Sequence, residues 1–153
     1  MDQDIQFRLE LAKKYRSQVE PFFRYIPWFQ QKSGKKAYTN YSGEGFKETS
    51  MQIPVYEGTL MSFVKEMSKT ELMDRNYRYV CNRYHLNTIT DEITAISKAE
   101  LADFEMLTAL MTKYVMGGMT KSRYWSDAVE HGIFLDLLVK MKEIIEFYDT
   151  PVA

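Results

Sequence analysis

Apolar residues recur at helical spacing along most of this chain, and the places where the period breaks divide it into elements. From about Asp4 to Val19, Ile5, Leu9, Ala12, Arg16 and Val19 trace one helical face, widened by Leu11, Tyr15 and Phe22. Pro21 and Pro27 then cut EPFFRYIPWFQQKSG into short pieces. Each proline suits the first position of a helical turn, and Gly34 offers a stop. Phe22, Phe23, Tyr25, Ile26, Trp28 and Phe29 crowd this stretch and predict an aromatic plug against the core. Residues 32–50, KSGKKAYTNYSGEGFKETS, have three glycines and no helical period, which predicts a long exposed polar loop with room for a short hairpin. MQIPVY (51–56) is extended in character because Ile53 precedes Pro54.

A helix follows from about Gly58 to Lys69, with Leu60, Phe63, Val64 and Met67 on one face. Residues 70–88 carry two periods at once. Leu72, Asn76, Tyr79 and Arg83 are spaced as in a helix, whereas Tyr77, Tyr79, Cys81 and Arg83 alternate as in a strand; helix to about Asn82 is the favoured reading. Thr90 before Asp91 and Glu92 marks another helix start, with acids where the macrodipole favours them. Ser97-Lys98-Ala99-Glu100 has the form of a capping box and predicts a new helix to about Val115, burying Leu101, Phe104, Leu107, Met111 and Tyr114.

Gly117-Gly118 and Gly132 punctuate the remainder, each a candidate for the positive-φ position that closes a helix. They predict a helix over roughly 121–131, with Trp125 and Ala128 on its buried face. A last helix then runs from about 133 to 148 and buries Phe134, Leu137, Leu138, Met141, Ile144, Ile145 and Tyr148. The expected fold is mainly α: a single domain over residues 1–153, six or seven helices around one core, the 32–50 loop, and a minor β element near it.

Composition agrees with one globular domain. The chain has 153 residues, 45% of them hydrophobic and 27% charged, enough to bury a core without disulfide or metal staples. Aromatic residues at 14% and ten methionines suit either an adaptable core or a contact surface, and their helical spacing favours the core. The single cysteine, Cys81, forms no disulfide within one chain and points to a reducing, cytoplasmic home. The first residues lack the basic region and apolar run of a signal peptide, and no apolar stretch is long enough for a membrane span.

Charge is graded along the sequence. Residues 1–50 carry nine Lys and Arg against six acids, residues 51–100 six against seven, and residues 101–153 five against eight. That gradient is too mild to mark a nucleic-acid-binding domain, and nowhere dense enough for a DNA mimic.

Candidate chemistry is sparse. His131 has Asp127 one turn before it, but it also precedes Gly132, where a histidine simply suits a helix C-terminus. Cys81 has His85 four residues on, without an orienting group or oxyanion site marked in the sequence, so a structural cysteine is the expectation. SGKKAYT lacks the glycine and the Ser/Thr of a phosphate-binding loop, and YSGEG lacks the first glycine of a nucleophile elbow. No catalytic residue, cofactor or metal ligand is assigned. RNYRYVCNRYH (75–85) is different, because three arginines alternate with three tyrosines. Arginine grips carboxylates or phosphates through a planar fork, and tyrosine anchors interfaces or stacks on bases. The plain alternative packs the tyrosines inward while the arginines pair with acids such as Glu71 and Asp74. The candidate partner-binding residues are Arg75, Arg78, Tyr79, Arg83 and Tyr84, with Lys35 and Lys36 in the polar loop.

IPVYEGTLMSFVKEM (53–67) and LTALMTKYVMGGMTKSRYWSDAVEHGIFLDLLVKM (107–141) together resemble a group of uncharacterised small bacterial and phage proteins, a domain of unknown function. The first stretch is similar to that group's P-x-Y followed by a Phe-containing helix, the second to its helix–glycine–short helix–glycine–helix ending. Gly117-Gly118-Met119 departs from the basic and aromatic residues expected before the glycine. The resemblance carries no catalytic residues and implies only cargo of mobile elements. The leading expectation is a non-enzymatic accessory factor of a phage or mobile element that occupies a protein partner's surface, an anti-CRISPR-like inhibitor being one concrete form. The alternatives are a small-ligand binder or enzyme without a familiar motif, and a nucleic-acid-associated regulator, which the even charge balance disfavours. A homo-oligomer is compatible with all three.

Overall fold

The computed structural model describes residues 3–35, 38–41, 53–121 and 123–149. The chain is mainly α. Helix α1 (Gln3–Val19) leads through a 3-10 turn (Glu20–Tyr25) into α2 (Ile26–Lys32), and each of the latter two has a proline in its first positions, as the sequence predicts. Gly34 closes α2 with a φ of +76°. Strand β1 (Tyr38–Tyr41) pairs antiparallel with β2 (Ile53–Tyr56), Tyr38 opposite Tyr56 and Tyr41 opposite Ile53. The expected minor β element is therefore present; the rest of the 32–50 loop, residues 36–37 and 42–50, lies outside the described residues. Next come α3 (Gly58–Ser68), α4 (Tyr77–Arg83), α5 (Ile89–Lys98), α6 (Phe104–Gly117), α7 (Arg123–Glu130) and α8 (Ile133–Asp149).

The centre of the molecule is α6. Every residue from Met106 to Thr112 is buried, including Thr108 and Thr112, because α3, α4, α7 and α8 all pack against this helix. A helix buried on every side must satisfy its polar groups internally. Thr108 Oγ1 donates to the Glu105 carbonyl at 2.9 Å and Thr112 Oγ1 to the Thr108 carbonyl at 2.8 Å. The aromatic plug forms as expected. Phe29 and Phe134 meet Phe63 edge-on, with ring centroids 4.9 and 5.1 Å away, and Tyr25 adds a third such contact at 5.2 Å. These pairs join α2, α3 and α8, each contributing roughly 0.5–1.5 kcal/mol beyond the area it buries.

Five local expectations need correction. Residues 70–76 are turns rather than helix. Asp74 N–H donates to Thr112 Oγ1 at 2.9 Å and its carboxylate accepts from Asn76 N–H at 2.8 Å, so the chain leaves helical geometry until Tyr77. Helix α5 starts at Ile89, one residue before Thr90, behind a capping box in which Thr88 and Asp91 exchange side-chain-to-backbone hydrogen bonds of 3.1 Å. Ser97 does not cap a helix, because its hydroxyl donates back to the Thr94 carbonyl inside α5. Glu100 and Asp103 form the box that follows it. Finally, Gly132 has the predicted positive φ, +74°, but neither Gly117 nor Gly118 does. Those two are small for a different reason: a Cβ on Gly118 would lie 2.1 Å from Trp125 Nε1, and one on Gly117 2.8 Å from the Tyr124 ring. In α1, Ala12 and Val19 are buried, whereas Ile5 and Leu9 on the predicted face are exposed.

Candidate functional site

Helix α4 is short, and two residues hold it to the core. Val80 and Cys81 are buried against α6, while Tyr77 and Tyr84 flank them half-buried. That leaves Arg78, Tyr79, Asn82 and Arg83 on the outward face, because residues at i, i+1, i+4 and i+5 fill one side of a helix. Tyr79 is 67% exposed, with the Arg83 guanidinium 5.9 Å from its ring centre. Arg83 also pairs with Glu105 at 3.2 Å, a surface contact both of whose side chains are about half exposed, and the 5.6 Å approach to the Tyr84 ring holds it over the helix. The Tyr84 hydroxyl donates to Asp103 at 3.0 Å; burial, then that bond, raises its pKa.

The predicted residues are only partly brought together. Tyr79, Arg83 and Tyr84 form one cluster. Arg78 lies on the other flank of α4, against Tyr77, with its guanidinium 5.8 Å from that ring. Arg75 stands before the helix and lines a separate concavity with Lys14, Glu71 and Glu105. Lys35 follows Gly34, whose N–H donates to the Glu130 carbonyl, and so sits at the far end of α7 from the α4 cluster. Lys36 lies outside the described residues.

Arg78 belongs to a cleft that sequence reasoning missed. A concavity of about 320 Å³ opens between α4, the end of α6 and the start of α7. Arg78 and Asn82 line it from α4, Lys113 from α6, Lys121 from the following turn, and Tyr77 and Tyr124 from its sides. Gly117 makes the cleft possible by letting the Tyr124 ring lie over the end of α6. Behind it, Glu92 of α5 is 1% exposed and accepts from both Lys113 Nζ and the Tyr114 hydroxyl. Burial, reinforced by the bond to Glu92, raises the Tyr114 hydroxyl far above its ordinary pKa, so it stays a donor. Lys113, Gly117 and Lys121 recur every four residues, a signal present in the sequence; the arrival of Arg78 from α4 has none.

Of the stretches considered for covalent chemistry, most of YSGEG and part of SGKKAYT lie outside the described residues. Burial raises the Cys81 thiol, outweighing the opposite pull of Lys113, so it is held protonated. His85 takes a left-handed φ of +58° as the chain leaves α4, and its side chain is exposed. His131 is exposed at the end of α7. Among the described residues no three His, Cys, Asp or Glu side chains gather as a metal site would require, and no helix is long and apolar enough to cross a membrane. No protein-family model, curated protein or solved structure matches the chain.

Proposed function

We propose that this protein is a non-enzymatic binding factor that docks on a protein partner through the outward face of α4. The observation that carries the reading is Tyr79, two-thirds exposed and flanked by Arg83 on a helix whose opposite side is core. A rigid aromatic beside a guanidinium is the side-chain pairing that dominates protein interfaces, and its counterpart is an acidic surface. The likeness of residues 53–67 and 107–141 to small phage and bacterial proteins supports a role as mobile-element cargo, with occlusion of a host defence protein as a concrete form. The test is affinity capture from the native host with the wild type and with a variant carrying Tyr79→Ala and Arg83→Ala. The variant is expected to melt at the wild-type temperature and to lose the partner. Equal capture by the two proteins overturns the reading.

A second reading, a small-ligand binder, is favoured by the cleft between α4 and α6, whose volume lies at the lower end of the range for small-molecule sites.

A further inference from the structure

We infer that the cleft between α4, the end of α6 and the start of α7 holds the phosphate group of a small phosphate monoester, gripped by Arg78 and Lys121. The inference rests on the small-ligand reading and is independent of docking through Tyr79, which does not line the cleft.

Charge is the first reason. Among the described residues the walls carry Arg78, Lys113 and Lys121 and no carboxylate, in a chain whose net charge is −1. Four other concavities on the surface each include at least one acid. Lys113 is already matched by the buried carboxylate of Glu92, which also fixes where its ammonium sits. Among the described residues Arg78 and Lys121 have no ion-pair partner, so the cleft presents two uncompensated positive charges. A phosphate monoester carries about −1.5 to −2 near neutral pH and matches that count.

Geometry is the second reason. Lysines near a helix C-terminus are accounted for by the macrodipole alone, which suffices for Lys121 in the turn that follows α6. It does not account for Arg78, which reaches the same cleft from another helix and brings a planar fork suited to two phosphate oxygens. The carbonyls ending α6 are already occupied. Tyr114 accepts from Gly118 N–H at 3.2 Å, Met116 from Met119 N–H at 3.2 Å and Gly117 from Lys121 N–H at 2.9 Å, which blunts their repulsion of an anion. The cleft is far larger than one phosphate group, and Tyr77 and Tyr124 flank the space left for the organic part.

The test follows backbone amide shifts by NMR while inorganic phosphate, glycerol phosphate, phenyl phosphate or phenol is added to the full chain. The three phosphates are expected to shift Arg78, Asn82 and Lys121 saturably at millimolar concentration, and phenol is not. Arg78→Gln and Lys121→Gln should each weaken the phosphates by about three- to tenfold without lowering the melting temperature, and Tyr79→Ala should leave them unchanged. Stronger binding of phenyl phosphate than of glycerol phosphate assigns an aromatic ester, the reverse an aliphatic one. Phenol binding as tightly as phenyl phosphate overturns the phosphate assignment while leaving a ligand cleft. Phosphate binding that both charge variants retain in full also overturns it. Binding of no probe removes the cleft reading as well.

Discussion

Gly118 has a helical φ of −67°, so alanine there costs nothing in backbone conformation. The obstacle is the Trp125 indole, whose Nε1 donates to the Val115 carbonyl at 3.1 Å and lies where the new methyl would go. Gly118→Ala therefore displaces a buried ring and breaks its hydrogen bond, and is expected to cost about 2–3 kcal/mol. Gly58 opens α3 with empty space around it, so Gly58→Ala should be neutral or stabilising by up to about 1 kcal/mol. Urea midpoints at constant slope measure both, and equal effects at the two sites would defeat the steric account. Asp136 gives a pH test at the same scale. Half-buried in the first turn of α8, its carboxyl is raised above the ordinary 3.8 by desolvation. At acid pH both states hold the proton and nothing is lost. As pH rises through the unfolded and then the folded value, the unfolded chain releases the proton more readily and stability falls. Asparagine carries no such proton, so Asp136→Asn should gain in melting temperature over the wild type from acid to neutral pH. A difference independent of pH would contradict that cause.

Elements were legible where one apolar face decides everything. Leu60, Phe63, Val64 and Met67 of α3 are all buried as their spacing predicts, and so are Phe134, Leu137, Leu138 and Met141 of α8. Starts and stops were less legible, because the residues that cap helices also bond locally in other ways. Ser97 fits the pattern of a cap, yet its hydroxyl turns back onto Thr94, while Thr88 with Asp91 wins the position that Thr90 seemed to hold. Residues 70–76 show tertiary structure overriding periodicity, since Thr112 is 38 residues from the Asp74 N–H that it fixes. The candidate site follows the same division. The outward face of α4 was visible in RNYRYVCNRYH because it lies within one element. The cleft was not, since Arg78, Lys113 and Lys121 meet only once α4 has packed on α6 and Gly117 has admitted Tyr124.

For the whole molecule, the consequence is an uneven distribution of stability around α6. Opening α6 uncovers a continuous run from Met106 to Thr112 and unpacks four neighbouring helices, so its amides have no route to solvent short of global unfolding. For a domain of this kind that amounts to about 5–15 kcal/mol. Helix α4 differs in kind. It has seven residues, too few to be stable alone, and its buried contribution is Val80 and Cys81, with turns rather than helices on either side. It can detach while α6 keeps its other partners. Hydrogen exchange should accordingly show the amides of Leu107, Leu110 and Met111 exchanging at the global limit, with Cys81 and Arg83 easier by at least about 2 kcal/mol. Identical protection in the two helices would mean that α4 belongs to the cooperative core. The ranking bears on function, because both proposed contacts, the Tyr79 face and the Arg78 side of the cleft, are carried by this one short helix. Saturating phenyl phosphate should then slow exchange in α4 and, by the same factor, in α6, since undocking α4 and unfolding the whole chain both release a ligand that bridges α4 to Lys121.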